Sequence, residues 1–214
     1  MSSPGVVLVT GGTGYIGSHT VLYLLAAGWD VVIVDSLVNS SAAVLPRLRA
    51  LAGLPRLPAA GAAAATAGDA RLSFHQLDCR DEAALTALFT SQSAAGRPIS
   101  AVVHFAGLKA VGESAAQPLL YYSANVVAAV ALLSAMRAAG VRTLVFSSSC
   151  PVYGRSPSPL DEGAPVGAGI TNAYARSKFQ IEEMLRDLAA AEPGRWRIAV
   201  LRYRQFLFQG VAYQ

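Results

Sequence analysis

A β-branched run, Val6-Val-Leu-Val-Thr10, passes directly into Gly11-Gly-Thr-Gly-Tyr-Ile-Gly17, and no other stretch narrows the fold of this chain as far. The run has the length and branching of a buried strand. Gly11, Gly14 and Gly17 then recur at every third position. Glycines so placed permit a tight turn, a close approach of backbone to a pyrophosphate, and close packing of the next helix on the strand. That helix is predicted from Tyr15 to Ala27, ending at Gly28. Its N-terminus offers free N–H groups and the positive end of the helix dipole to an anion.

A second strand, Val31-Val-Ile-Val34, is closed by Asp35. This acid follows the glycines by roughly 20 residues, where a carboxylate accepts hydrogen bonds from both hydroxyls of an adenosine ribose. Its charge repels a 2′-phosphate, so the pattern favours NAD over NADP. Further strands are predicted at Arg71 to His75, Ala101 to Phe105, Thr143 to Ser147 and Arg197 to Tyr203. Helices fit Asp81 to Thr90, Leu119 to Ala139 and Ala173 to Ala190, with Gly140 at a C-cap. The alternation predicts an α/β fold, a doubly wound parallel sheet of the Rossmann type. Residues 1–203 form the expected NAD-binding domain. It is interrupted at about 51–69 by a mobile insertion holding Pro55, Pro58 and an alanine-rich run, and 204–214 are expected to form an irregular tail.

Composition excludes several classes. With 53% hydrophobic and 14% charged residues, the 214-residue chain is no disordered segment. The mean hydropathy of +0.42 is inflated by alanine. Its longest weakly polar stretch, Ala124 to Met136, is shorter than the ~20 residues of a membrane span, and no leader peptide is visible at Met1. Fifteen of 17 basic residues are Arg, scattered rather than clustered, which argues against nucleic acid. Two cysteines, Cys79 and Cys150, give neither a disulfide framework nor a metal pattern and read as small buried hydrophobes. The expectation is a cytoplasmic protein without metal, nucleic-acid or membrane partners. His75 and His104 lie within strand patterns and read as satisfied structural histidines. Asp78 is compatible with two roles, a contact to an adenine amino group or the N-cap of the next helix.

Tyr174-Ala-Arg-Ser-Lys178 carries the chemistry. Positions i and i+4 share a helix face, so the ammonium is expected beside the phenol. A phenol has a pKa near 10, and a base near pH 7 needs a downward shift of ~3 units, about 4 kcal/mol. The lysine and a positively charged nicotinamide are the expected sources of that shift. Ser147-Ser-Ser149 closes the fifth strand, where a doubly wound sheet binds its ligands.

These segments, together with Val103-His-Phe-Ala-Gly-Leu-Lys-Ala-Val-Gly-Glu-Ser114, Val152-Tyr-Gly154 and Leu201-Arg-Tyr203, closely resemble the UDP-glucose 4-epimerases, members of the extended short-chain dehydrogenase/reductases. The resemblance runs from about Val6 to Tyr203. It implies that Gly11, Gly14, Tyr15, Ile16 and Gly17 hold the pyrophosphate of NAD, and Asp35 the ribose, with Asn39 nearby. It sets Asp78 and Cys79 against the adenine, and has Phe105, Lys109 and Asn125 about the cofactor pocket. Ser149 then hydrogen-bonds the sugar 4-hydroxyl, Tyr174 takes its proton, and Lys178 holds the nicotinamide ribose. Lys109 and Tyr203 are shared by the cofactor and the UDP-sugar. The implied reaction is a transient oxidation at sugar C4 that interconverts UDP-galactose and UDP-glucose, as in galactose metabolism, by an enzyme that forms homodimers.

The chain departs from the family twice. Cys150-Pro151 stands where the family has Ala-Thr, removing a hydroxyl and an N–H beside Ser149, and Arg204-Gln205 stands for Phe-Asn. A substrate domain is expected to be largely missing. Two other readings are a 4,6-dehydratase or related nucleotide-sugar enzyme, whose Asp-Glu pair Cys150-Pro151 does not supply, and an NAD-binding fragment without turnover.

Overall fold

The computed structural model describes residues 4–55, 71–157 and 160–203. Six strands, β1 (Val6–Thr10), β2 (Asp30–Asp35), β3 (Leu72–Gln76), β4 (Ile99–His104), β5 (Thr143–Ser149) and β6 (Arg197–Tyr203), form one sheet in the order β3-β2-β1-β4-β5-β6. Every pairing is parallel, so all carboxyl ends lie along one rim. The order reverses between β1 and β4, and a crevice opens at such a reversal.

Strand alternation explains the two layers. Val7, Val9, Val31 and Ile33 point to the face covered by α1 (Tyr15–Ala26) and α2 (Val44–Leu51), meeting Val21, Leu25 and Leu48. Leu8, Val32, Val34 and Val102 point oppositely, onto Leu85, Leu132 and Ile181. These belong to α3 (Glu82–Ala94), α6 (Ala128–Ala138) and α7 (Ala173–Ala191). A strand buried on both faces reads as an unbroken apolar run, as Val6 to Val9 does.

Helix α2 was not expected. Pro46 lies in its first turn, where the missing N–H has no intrahelical partner to lose, so proline is tolerated there while masking the pattern. The predicted Leu119–Ala139 helix begins as α5 (Pro118–Tyr121), following a short α4 (Val111–Ala116), and passes through a π-helical turn, Tyr122–Val127, into α6. This 21-residue element, whose most apolar 18 residues have a mean hydropathy of 1.7, is long and apolar enough to cross a membrane, contrary to the shorter sequence count. Its inner face, including Tyr121, Asn125, Ala128, Leu132 and Met136, packs into the protein, which explains the apolar composition. Gly140 ends α6 at φ 75°, and the next N–H, Val141, closes on Met136 O at 2.9 Å.

The insertion expected at 51–69 falls mainly on residues outside those described, although Leu51 ends α2; the tail 204–214 lies wholly outside.

Candidate active site

The turn after β1 is set by backbone packing. Gly11 is left-handed (φ 68°), and a Cβ there would lie 2.7 Å from the Ala106 nitrogen in the loop after β4. At Gly17 a Cβ would lie 2.2 Å from Gly11 O, so only glycine lets α1 sit on the turn. Gly14 is the N-cap, and the first turn of α1 carries no acid to compete with an anion. Tyr15 and Ile16 are exposed at the same end. This cradle fits the pyrophosphate of a dinucleotide.

Asp35 is buried at the end of β2 and orders the loop beyond it. It accepts from Thr13 N–H at 3.1 Å, Leu37 N–H at 3.0 Å and Ser40 Oγ at 3.0 Å. Leu37 takes a left-handed φ of 63°, a strained choice for a branched side chain, while donating to that carboxylate. Three of about four acceptor sites on the carboxylate are thus filled, leaving one for a ribose hydroxyl unless Ser40 gives way. Neither Thr13 nor Ser40 stood out in the sequence, since short hydroxyl side chains carry no pattern. Asn39 is exposed beside them.

After β3, Asp78 pairs with Arg80, whose Nε donates at 3.0 Å and holds the carboxyl below its ordinary range. The cap of α3 is Asp81 instead, accepting from Ala84 N–H at 2.9 Å, which removes the capping role for Asp78. Cys79 is buried, and burial first, then the charges of Asp78 and Asp35, push its thiol up to about 12.

The loop after β4 is fixed from beneath. Asn125, in the π-helical turn, accepts from Leu108 N–H at 2.8 Å and donates to Leu108 O at 3.0 Å and Ser177 Oγ at 2.9 Å. Its side chain is buried and engaged, so it shapes the pocket through the loop. Phe105 and Lys109 lie on this loop, Phe105 half-buried and Lys109 exposed. Thr10 Oγ1 takes the Ala106 N–H at 3.3 Å and hydrogen-bonds His104 Nδ1 at 2.6 Å. Burial, then the Lys178 charge, pushes His104 down to about 3, so it is a neutral structural histidine.

Ser149 and Tyr174 meet at the carboxyl rim between β5 and α7, and Lys178, one turn further along α7, lies against Ser147 of the same strand. Asn172, two residues before Tyr174, caps α7, accepting from Ala175 N–H at 2.8 Å. The Ser149 hydroxyl hydrogen-bonds the Tyr174 phenol and favours its anion, but burial outweighs this and holds the phenol above its ordinary value. Lys178 is buried; its ammonium donates to Ser147 O at 2.9 Å and lies 5.0 Å from the centre of the Phe146 ring. Burial draws that ammonium down to about 8. The i, i+4 spacing does place both groups on the inner face, but the hydrogen bond of Lys178 runs to the strand carbonyl. The expected lowering of the phenol is therefore not present in the protein alone. Tyr203, half-buried at the end of β6 beside Ser149, is raised by burial.

Among the described residues no group of three or more His, Cys, Asp or Glu side chains is placed to hold a metal ion. The buried carboxylate of Glu182, one turn beyond Lys178 on α7, was missed in the sequence, where it reads as one of many helical acids.

The chain is 48% identical over 198 residues to UDP-glucose 4-epimerase 2 of Arabidopsis thaliana, covering 92% of this chain and 51% of that protein. It is 47% identical over 198 residues to the UDP-glucose 4-epimerase of Mus musculus, covering 92% and 52%. Among solved structures, the UDP-glucose 4-epimerase of Stenotrophomonas maltophila with bound NAD and formylated UDP-arabinopyranose superposes with a TM-score of 0.79 at 42% identity, over 93% of this chain and 52% of that one. That of Bifidobacterium longum, in complex with NAD+ and UDP, gives 0.79 at 40%, over 92% and 52%. The chain thus spans about half the length of the curated relatives it matches. A family model, the NAD dependent epimerase/dehydratase family, matches residues 7–207. With the strand order, the glycine turn and the rim residues in place, the chain belongs to the NAD dependent epimerase/dehydratase family.

Proposed function

We propose that this chain carries the cofactor-binding and proton-transferring portion of a UDP-glucose 4-epimerase, interconverting UDP-galactose and UDP-glucose. The observation that carries the reading is the pairing of Tyr174 with Ser149 at the carboxyl end of β5, with Lys178 one turn along α7 bound to Ser147 O of the same strand. NAD fits the residues present: the acid-free N-terminus of α1 for the pyrophosphate, Asp35 for the adenosine ribose, and Lys178 for the nicotinamide ribose. Bound there, NAD supplies a reversible hydride acceptor. Ser149 orients the sugar 4-hydroxyl, and Tyr174 takes and returns its proton. Because burial raises the phenol in the protein alone, the positive charge of the nicotinamide is assigned the larger share of its activation. Lys109 and Tyr203 are assigned to both pockets.

The same reading assigns residues 1–203 to the NAD-binding domain and places the protein in the cytoplasm, in keeping with two free thiols, Cys79 and Cys150. A homodimer is part of it, supported by Val127 and Val130 exposed on the outer side of the π-helical turn and α6.

The test is to add UDP-galactose to the purified chain without external NAD⁺ and follow UDP-glucose by NMR. Product that Tyr174→Phe abolishes supports the proposal. NAD binding with no product favours the alternative of an NAD-binding form without turnover.

A further inference from the structure

We propose that Glu182 is a positioning residue that sets the height of Tyr174 and Lys178 over the end of β5, acting through Ser148 and Arg202. The proposal rests on the epimerase reading of that rim.

Tyr174, Lys178 and Glu182 follow one another at four-residue intervals along the inner face of α7, and all three are buried. Each grips the same stretch of strand. Lys178 donates to Ser147 O at 2.9 Å, Glu182 Oε1 accepts from Ser148 Oγ at 2.5 Å, and the next residue, Ser149, meets Tyr174. The helix is therefore registered on three consecutive strand residues.

The grip extends to β6. Arg202 lies beside Ser148 in the sheet and binds Glu182 through two contacts, Nε to Oε1 at 3.1 Å and Nη2 to Oε2 at 2.7 Å. Its third nitrogen, Nη1, donates to Tyr153 Oη at 3.0 Å, and the guanidinium lies 4.9 Å from the Tyr153 ring centre. Tyr153 ends the 3₁₀ turn Cys150–Tyr153 that follows Ser149. Ser149 is thus held on one side by Ser148 and on the other by this turn, and both lead back to Glu182.

A buried ion pair is weak ground for stability, since apolar residues of similar volume do as well or better. What the pair supplies here is directional registry between helix, strand and turn. The groups facing Glu182 are Ser148, Arg202 and, from the next turn of α7, Arg186 at 3.6 Å. Those facing Tyr174 are Ser149, Cys150 and Tyr121, the last bonded to Glu113 of α4.

The test uses the full chain and the phenolate absorbance of Tyr174 against pH, taken as the difference from Tyr174→Phe. The double variant Glu182→Met/Arg202→Met removes both charges together. It is expected to stay folded and melt near the wild type while the Tyr174 midpoint rises by about one unit. A merely structural role predicts no movement in a folded variant, and an unchanged midpoint overturns the proposal. Tyr153→Phe leaves the ion pair intact and frees only the turn. It should move the midpoint the same way by less, and it decides the matter if the double variant does not fold. Calorimetric titration of the wild type with NAD⁺ tests the underlying reading separately. Failure to bind sinks the epimerase assignment, whereas binding with an unmoved midpoint sinks only the positioning role.

Discussion

His104 and Lys178 are two buried bases that the fold treats differently. His104 is held neutral, down to about 3 from an ordinary 6.5. Above pH 6.5 neither folded nor unfolded chain carries that proton. As pH falls toward 3 the unfolded chain takes up a proton that the folded chain refuses, and stability drains away. Between pH 7 and 5 this contributes a loss of about 2 kcal/mol. Urea midpoints at the two pH values should show it, and His104→Asn, though weaker at pH 7, should flatten the difference. Lys178 has the opposite history, drawn down to about 8 from 10.5 yet still charged at pH 7. Below pH 8 the folded protein bears the whole penalty of a buried ammonium, about 3 kcal/mol. Between 8 and 10.5 the unfolded chain keeps a proton that the folded one releases, so wild-type stability rises with pH. Lys178→Met should therefore melt higher than wild type at pH 7, and its advantage should shrink above pH 8; a lower melting temperature at pH 7 refutes this. The sequence marked both residues, but the direction of the Lys178 hydrogen bond was beyond it, because spacing defines a face of a helix and says nothing of which backbone carbonyl passes beneath.

Elements differ in how openly their sequences announce them. The turn from β1 into α1 was legible because its glycines answer a steric demand that no other residue meets. Gly17→Ala pushes a methyl group into Gly11 O, and should lower stability by about 1–3 kcal/mol and weaken NAD⁺ binding, both measurable by calorimetry. Strands β1 and β2 were equally plain, since burial on both faces leaves an unbroken apolar run. Helix α2 was hidden by Pro46, and the π-helical turn by the lack of any residue that demands it. Such turns are found at functional sites, and this one brings Asn125 under the loop after β4. The Glu182–Arg202 pair was equally invisible, because its partners lie 20 residues apart and only the sheet sets them side by side.

At the scale of the molecule, cofactor choice should register as stability. NAD⁺ at a hundredfold excess over its Kd should add about 2.7 kcal/mol to unfolding, read as a rise in melting temperature. NADP⁺ should add far less, because its 2′-phosphate meets the carboxylate of Asp35. Equal shifts from the two would refute the assignment of Asp35. The parallel sheet has a practical corollary. Since all six strands run one way, every group assigned to chemistry gathers at their carboxyl ends, and the turns entering the strands, around Gly28, Gly140 and Gly194, stand at the far rim. A fluorophore or surface tether fixed at that rim would report on the protein while leaving the ligand entrance clear.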